Sequence, residues 1–173
     1  MYKIAFEFLS KYFSKSSLFK YGFNISPMYR RSVARIISVS DNLQEVKVKI
    51  PLNYKNRNYV GSIFGGSMLS ATDPIYMTQL MQILGDDYVV WDKAASIKYK
   101  RPARENAYVN FEFTDEEIDK IKSDILSFKE IDIIKNVNIV SASNQVFAEL
   151  NKTIYISQKS YYKQKISKRK SKV

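Results

Sequence analysis

Residues 56–74, NRNYVGSIFGGSMLSATDP, combine residue types that could act on a carbonyl group. Gly65 and Gly66 are adjacent, and Asp73 follows eight positions after the first of them, directly before Pro74. Glycine N–H groups at the start of a helix can bind an anionic oxygen, and a carboxylate can serve as general base or nucleophile. The same residues also suit a tight turn, and an Asp before Pro is a good helix N-cap. Both interpretations, a catalytic site and a bend, stay open at this point.

The composition excludes several kinds of catalytic site. The chain contains neither His nor Cys, which removes disulfides, thiol nucleophiles, His or Cys metal sites and every triad that uses imidazole. Proton transfer or nucleophilic attack must fall to Asp, Glu, Lys, Tyr, Ser or Thr, or to a cofactor. We therefore expect no metal site and regard carboxylates as the first candidates.

The length and hydrophobic content favour one globular domain outside the membrane. The chain has 173 residues, of which 45% are hydrophobic, and this is enough to bury a core. It contains no run of eighteen apolar residues, and charged residues interrupt the first twenty positions before a signal peptide could form. We therefore expect a cytoplasmic location.

The basic charge lies largely at the end of the chain. The net charge is +11, but residues 159–173 hold seven Lys or Arg and no acid, which leaves 21 basic against 17 acidic side chains elsewhere. We expect a poorly ordered tail. Contact of this tail with nucleic acid or an anionic membrane is the alternative.

Hydrophobic periodicity predicts an α+β fold over residues 21–158, preceded by an amphipathic N-terminal helix over residues 1–20. Residues 67–84 are apolar on nearly every side, which indicates a buried helix. A short surface helix begins after Thr114 with a capping-box pairing to Glu117. Alternating segments predict six strands, at residues 31–39, 46–50, 88–101, 108–113, 128–142 and 145–158.

This order of elements predicts a curved, mainly antiparallel sheet wrapped around the central helix. In the strand 88–101, alternation predicts that Trp91, Ala95, Ile97 and Tyr99 lie on one side and Asp92, Lys98 and Lys100 on the other. A single curved sheet leaves edges and part of the helix uncovered. We therefore expect a homodimer or a dimer of dimers.

The segment from Asn58 to Asp73 resembles a motif of the hotdog fold, found in the phenylacetyl-CoA-type acyl-CoA thioesterases. Those proteins have an Asn, then His-Gly-Gly, then an Asp or Glu eight positions after the first Gly. The matching residues here are Asn58, Phe64, Gly65, Gly66 and Asp73. The run IKYKRPAR, residues 97–104, is similar to the end of the following strand in that family. The runs NYVGSIFGGS, ATDPIYM and VVWDKAASIKYKRPAR are more narrowly similar to the hotdog family called domain of unknown function 4442.

The resemblance implies an acyl-CoA thioesterase-like hydrolase. The N–H groups of Gly65 and Gly66 would bind the thioester carbonyl as an oxyanion hole, and Asp73 would be the general base or nucleophile. Asn58 would hold the attacking water or the carbonyl. The substrate would be an acyl-CoA or acyl-carrier thioester, with coenzyme A present only as part of it. Further substrate-binding residues would be Phe64, Met68, Tyr76 and Met77 for the acyl group, and Lys98, Lys100, Arg101 and Arg104 for the phosphates.

The chain departs from the family pattern at three places, of which Phe64 and Pro74 favour a noncatalytic acyl or acyl-CoA binding protein as the alternative and the third concerns the shape of a loop. Phe64 replaces the histidine, and a phenyl ring cannot position a substrate or water by hydrogen bonding. Pro74 removes a helical hydrogen bond directly beside the carboxylate. Residues 104–107, RENA, stand where relatives often have a Gly followed by an acid.

Overall fold

The chain forms one six-stranded antiparallel sheet in a computed structural model that describes residues 12–170. The strands are β1 Arg35–Val39, β2 Glu45–Ile50, β3 Tyr88–Tyr99, β4 Ala107–Glu112, β5 Glu130–Val140 and β6 Val146–Gln158. Their order in the sheet is β1-β2-β4-β5-β6-β3. Among the described residues, β1 and β3 are therefore the edges of the sheet.

Six helices accompany the sheet in the described part of the chain. They are α1 Lys15–Ile25, α2 Pro27–Arg30, α3 Gly65–Thr72, α4 Ile75–Leu84, α5 Asp115–Phe128 and α6 Lys159–Lys170. Most of the predicted N-terminal helix, up to residue 11, lies outside the described residues. None of the helices between residues 12 and 170 is long and apolar enough to cross a bilayer.

The core lies between the sheet and the helices α3 and α4. Alternate residues of β2 and β4, such as Val48 and Phe111, are buried beneath them, because successive strand side chains point to opposite faces. Ile75 and Leu80 of α4 are also fully buried. The predicted α+β fold, with a curved antiparallel sheet around a central helical layer, is confirmed.

The central helix is broken, so the prediction of one helix over residues 67–84 is wrong in this respect. α3 ends at Thr72 and α4 begins at Ile75, because Pro74 has no N–H to donate to the carbonyl four residues earlier. Side chains supply donors to carbonyls around the break. The Tyr29 hydroxyl donates to the Ala71 carbonyl at 3.1 Å, and Lys152 Nζ donates to the Asp73 carbonyl at 2.7 Å.

A bulge in β3 changes which side chains face the helices. The register to β6 shifts between Asp92 and Ala94, and one extra residue exchanges the two faces of a strand. Asp92 consequently lies on the helix side, where its carboxylate meets Lys152, whereas Trp91 stacks on Tyr155 on the outer side. The prediction that Trp91 shares a side with Tyr99 is thus wrong, because Tyr99 and Asp92 both lie on the helix side.

The C-terminal basic segment is a helix up to Lys170, not the poorly ordered tail expected from its charge. Tyr162 packs edge-on against Trp91, and Lys165 bonds to Glu130 at the end of β5. These contacts order the segment despite its charge. Cytoplasmic location stays a prediction, and contact of this helix with nucleic acid or a membrane stays the alternative.

Candidate functional site

The two adjacent glycines begin helix α3. Phe64 is the residue before the helix, and its carbonyl accepts hydrogen bonds from the N–H groups of Ser67 and Met68. The N–H groups of Gly65 and Gly66 have no acceptor within the described residues, as is usual for the first turn of a helix. They carry partial positive charge and are available to an oxygen atom of a ligand.

Both glycines also have a packing reason that is independent of any ligand. A Cβ on Gly65 would lie 2.6 Å from the Tyr99 hydroxyl oxygen, and one on Gly66 would lie 2.3 Å from Cε1 of the Phe64 ring. A side chain fits at either position only if the neighbouring ring moves away. The helix start is therefore flanked by two aromatic rings that are each about half exposed, 50% for Tyr99 and 57% for Phe64.

Asp73 lies at the other end of α3, immediately after Thr72. Its side chain is 57% exposed, and its Oδ1 accepts a hydrogen bond from Lys152 Nζ at 3.0 Å. The helix α4 has no side-chain hydrogen bond at its N-terminus, so Asp73 does not act as the N-cap that the sequence allowed. The carboxylate is exposed beside a buried ammonium group.

Lys152 connects Asp73 to a second carboxylate. Its side chain is completely buried on the helix side of β6, and Nζ lies 2.7 Å from Asp92 Oδ2. Burial raises the pKa of Asp92, while the hydrogen bond and charge of Lys152 oppose the increase. The other oxygen of Asp92 is buried without a hydrogen-bond partner. Lys152, Asp73 and Asp92 are hereafter called the lysine cluster.

Asn58 is engaged within its own loop. Its Oδ1 accepts hydrogen bonds from the N–H groups of Val60 and Ser62, and its Nδ2 donates to the Ser62 hydroxyl. An Asn side chain that bonds the backbone two and four residues on is a common stabiliser of loops. The structure thus gives Asn58 a role in the loop that leads to the glycines.

The four predicted acyl-binding residues differ in their exposure. Phe64 is exposed at the helix start, whereas Met68 is buried and Met77 half-buried. Tyr76 lies in the core with edge-on contacts to Phe111 and Phe113, and burial raises its pKa to about 12. Phe64 is therefore the member of this group beside the free N–H groups.

The predicted phosphate-binding residues form two groups, with Lys98 and Lys100 beside Glu149 and the two arginines in the loop that follows β3. Lys98 lines a shallow groove of about 330 Å³ on the outer side of the sheet, together with Asn136 and Asn138. Lys100 forms an ion pair with Glu149 at 3.0 Å. Arg101 and Arg104 are exposed in the loop that follows β3, and the Ile63 N–H donates to the Ala103 carbonyl of this loop. Only the two arginines belong to a loop that contacts the segment preceding α3.

Lys152 and Tyr99 also belong to the site, although neither was among the predicted site residues. The sequence pattern contains an indication for Lys152. Alternation in β6 places Lys152 on the same side as Leu150 and Ile154, and a charged residue in a run of buried positions needs a partner. That signal identifies an inward lysine but not its partners. The contact of Tyr99 with Gly65 depends on tertiary packing.

The arrangement offers two halves of a site for a carbonyl compound. The N–H groups of Gly65 and Gly66 could stabilise an oxyanion, and Asp73 could accept a proton or attack. A helix rises 1.5 Å per residue, so eight residues place Gly65 and Asp73 of one chain about 12 Å apart. The two halves are too far apart to act together on one carbonyl within one chain.

Comparisons with known proteins agree with this architecture. A family profile described as "Domain of unknown function (DUF4442)" matches residues 15–156. No curated protein matches the chain. Among solved structures, PA5026 from Pseudomonas aeruginosa, called a protein of unknown function and probable thioesterase, has a TM-score of 0.73 at 16% identity, covering 82% of this chain and 95% of that one.

Two further structures show the same likeness. Thioesterase HI1161 from Haemophilus influenzae has a TM-score of 0.61 at 10% identity, covering 83% of this chain and 91% of that one. OLEI01261 from Chlorobaculum tepidum, of unknown function, has a TM-score of 0.66 at 15% identity, covering 82% of this chain and 93% of that one. At these identities the likeness shows the fold, which is the hotdog fold of thioesterase-like proteins.

Proposed function

The chain belongs to the family described as Domain of unknown function (DUF4442), and from that premise we propose that it is an acyl-CoA thioesterase-like hydrolase. The observation that carries the proposal is that the N–H groups of Gly65 and Gly66 have no acceptor among residues 12–170. Asp73 supplies the exposed carboxylate that hydrolysis requires. Solved thioesterases with this fold support the choice of reaction.

In the proposed reaction the thioester carbonyl oxygen binds at Gly65. Asp73 removes a proton from water as the hydroxyl adds to the carbonyl carbon, and the N–H group stabilises the resulting oxyanion. Collapse of this intermediate breaks the carbon–sulfur bond, and the proton passes from Asp73 to the thiolate. Alternatively, the Asp73 carboxylate attacks the carbonyl carbon itself, and collapse of the oxyanion breaks the carbon–sulfur bond and releases the thiolate, which takes a proton from solvent. Water then hydrolyses the mixed anhydride to the free acid and restores the Asp73 carboxylate.

The substrate is proposed to be an acyl-CoA or acyl-carrier thioester, without any other cofactor. The aromatic rings of Phe64 and Tyr99 border the helix start and suit an apolar acyl chain or ring. Arg101 and Arg104 are exposed in the adjoining loop, and their forked guanidinium groups suit the phosphates of coenzyme A.

A second copy of the chain is proposed to complete the site. Because Gly65 and Asp73 of one chain lie about 12 Å apart along the helix, a carbonyl held at Gly65 needs the partner's Asp73. Strand β3 borders both halves, through Tyr99 at Gly65 and Asp92 in the lysine cluster. Antiparallel pairing of two β3 edges about a two-fold axis at Ser96 places Ser96 opposite its own copy and brings residue 99 of one chain beside the bulge at residues 92–94 of its partner.

Ser96→Cys tests this pairing, and we expect it to form a disulfide-linked dimer on mild oxidation. Ser96 is exposed on the β3 edge, and residues next to a two-fold axis lie within the roughly 7 Å between Cα atoms that a disulfide can span. The natural chain has no cysteine, so the cross-link can form only at the introduced position. Nonreducing electrophoresis measures the product.

Ser123→Cys is the matched control, because Ser123 is exposed on α5, away from the β3 edge. We expect no efficient cross-link there. Equal cross-linking of both variants, or a monomer by light scattering at micromolar concentration, would contradict pairing through β3.

The alternative function is noncatalytic binding of an acyl group or acyl-CoA, and Phe64 favours it. Its exposed ring lies against Gly66 where catalytic relatives are expected to have a histidine. A panel of acyl-CoAs separates the two functions, with a thiol-reactive dye to report released coenzyme A. The dye has no protein thiol to react with. We expect turnover of at least one apolar acyl-CoA, whereas binding without thiol release would support the alternative.

A further inference from the structure

Lys152 is an unusual residue in this core, because its ammonium group is buried among apolar neighbours. Its side chain is 0% exposed, and it lies between Leu150 and Ile154 on the helix side of β6. Burying a charge is costly unless it is paired and fully hydrogen-bonded. The groups that pair with Lys152 therefore indicate why the charge is there.

The ammonium group has three close oxygen partners at the helix break and its support, two hydrogen-bond acceptors on Asp73 and the Asp92 carboxylate of an ion pair. Nζ lies 2.7 Å from the Asp73 carbonyl, 3.0 Å from Asp73 Oδ1 and 2.7 Å from Asp92 Oδ2. A lysine ammonium has three N–H bonds, so these acceptors use its whole capacity. Lys152 thus binds the backbone and the side chain of Asp73 at once.

We infer that Lys152 is the positioning residue of the proposed site, which holds the Asp73 carboxylate outward at the break that Pro74 makes in the central helix. The role of Lys152 in positioning a reacting group rests on the proposed function, although its contact with Asp73 does not. Without Lys152, the carbonyl of Asp73 would lose a donor, and its carboxylate would be free to rotate. Its Oδ1 is tethered while the side chain stays 57% exposed, so the carboxylate is fixed and still reaches a ligand.

Asp92 supports the lysine rather than the substrate. It lies on the helix side only because of the bulge in β3, and its side chain is 20% exposed. Its carboxylate supplies the second negative charge that stabilises a buried ammonium group. Lys152 thus holds the carboxylate of Asp73, and Asp92 in turn stabilises Lys152.

Lys135 provides a matched control. It lies directly opposite Lys152 in the register of β5 and β6, its side chain is 13% exposed, and it bonds to Glu117 at 2.7 and 2.8 Å. Lys135→Met therefore removes an inward ammonium group and an ion pair without touching Asp73. A general effect of losing such a charge should be the same in both variants.

Lys152→Met is expected to lower kcat about a hundredfold, as misplacement of a reacting group by about 1 Å can do, with KM unchanged. The same substitution made in Asp73→Asn is expected to have no further effect on kcat, because residues that act through one another are not additive. Lys135→Met is expected to retain wild-type kcat. If the single variant unfolds, the double variant Lys152→Met/Asp92→Asn tests the same loss of kcat. It also removes the Asp92 carboxylate, which would otherwise be left without its lysine partner.

Carbon-13 resonances of the Asp73 carboxylate and backbone carbonyl give a readout that does not depend on activity. We expect both to move in Lys152→Met and neither in Lys135→Met. Unchanged Asp73 resonances in a folded Lys152→Met protein would overturn the inference, as would equal losses of kcat in the two lysine variants. A wild-type chain that hydrolyses no acyl-CoA would contradict the proposed function, while the resonances would still decide whether Lys152 holds Asp73.

Discussion

Asp73→Asn is expected to lower kcat for the best acyl-CoA about a thousandfold, within the range for loss of a general base. An amide cannot accept the proton from water, and it is a poor nucleophile. Because Asn keeps the size of Asp73 and can still accept from Lys152 Nζ, the fold and the binding of acyl-CoA should persist. Thiol release gives kcat, and calorimetry of an unhydrolysed thioether analogue gives the affinity.

Asp119→Asn is the control for this prediction, since Asp119 is an exposed carboxylate on α5. It should retain wild-type turnover. If Asp73→Asn instead turns over at the wild-type rate, Asp73 is neither base nor nucleophile.

Gly65→Ala is expected to lower kcat about a hundredfold, a loss comparable to that of one oxyanion-hole donor. The added Cβ would lie 2.6 Å from the Tyr99 hydroxyl oxygen, so the ring must move and the methyl group occupies space beside the N–H that binds the carbonyl. The tip of a half-exposed tyrosine can turn away at little cost, so the melting temperature should change little. Steady-state thiol release and thermal unfolding measure the two effects.

Gly22→Ala is the matched control, because Gly22 lies in α1 and a Cβ there meets nothing within 4 Å. It should retain wild-type kcat and gain up to about 1 kcal/mol of stability from helix propensity. A Gly65→Ala variant with normal kcat would leave the glycines with the packing role alone.

Elements governed by local pattern could be predicted from the sequence. Alternation located the strands, and the capping box at Thr114 and Glu117 is present as expected. The start of the central helix near Gly65 followed from the paired glycines and the apolar run after them. Each of these features depends on residues that are neighbours along the chain.

Features that depend on distant residues could not be predicted. The alternation of residues in β3 does not reveal the bulge after Asp92, which is visible only in the pairing of β3 with β6. Nothing near Asp73 in the sequence identifies its partner Lys152, which follows 79 positions later. Similarly, the helix of the basic tail packs Tyr162 against Trp91, a residue far away in the sequence.

A heterodimer of Gly65→Ala and Asp73→Asn chains tests most directly the central claim that Gly65 of one chain acts with the partner's Asp73. The two chains are co-expressed with different affinity tags, and the heterodimer is isolated by sequential purification. One of its two sites contains both intact groups, so we expect about half of the wild-type activity from a complex whose parent homodimers are nearly inactive. A heterodimer as inactive as its parents would contradict the account.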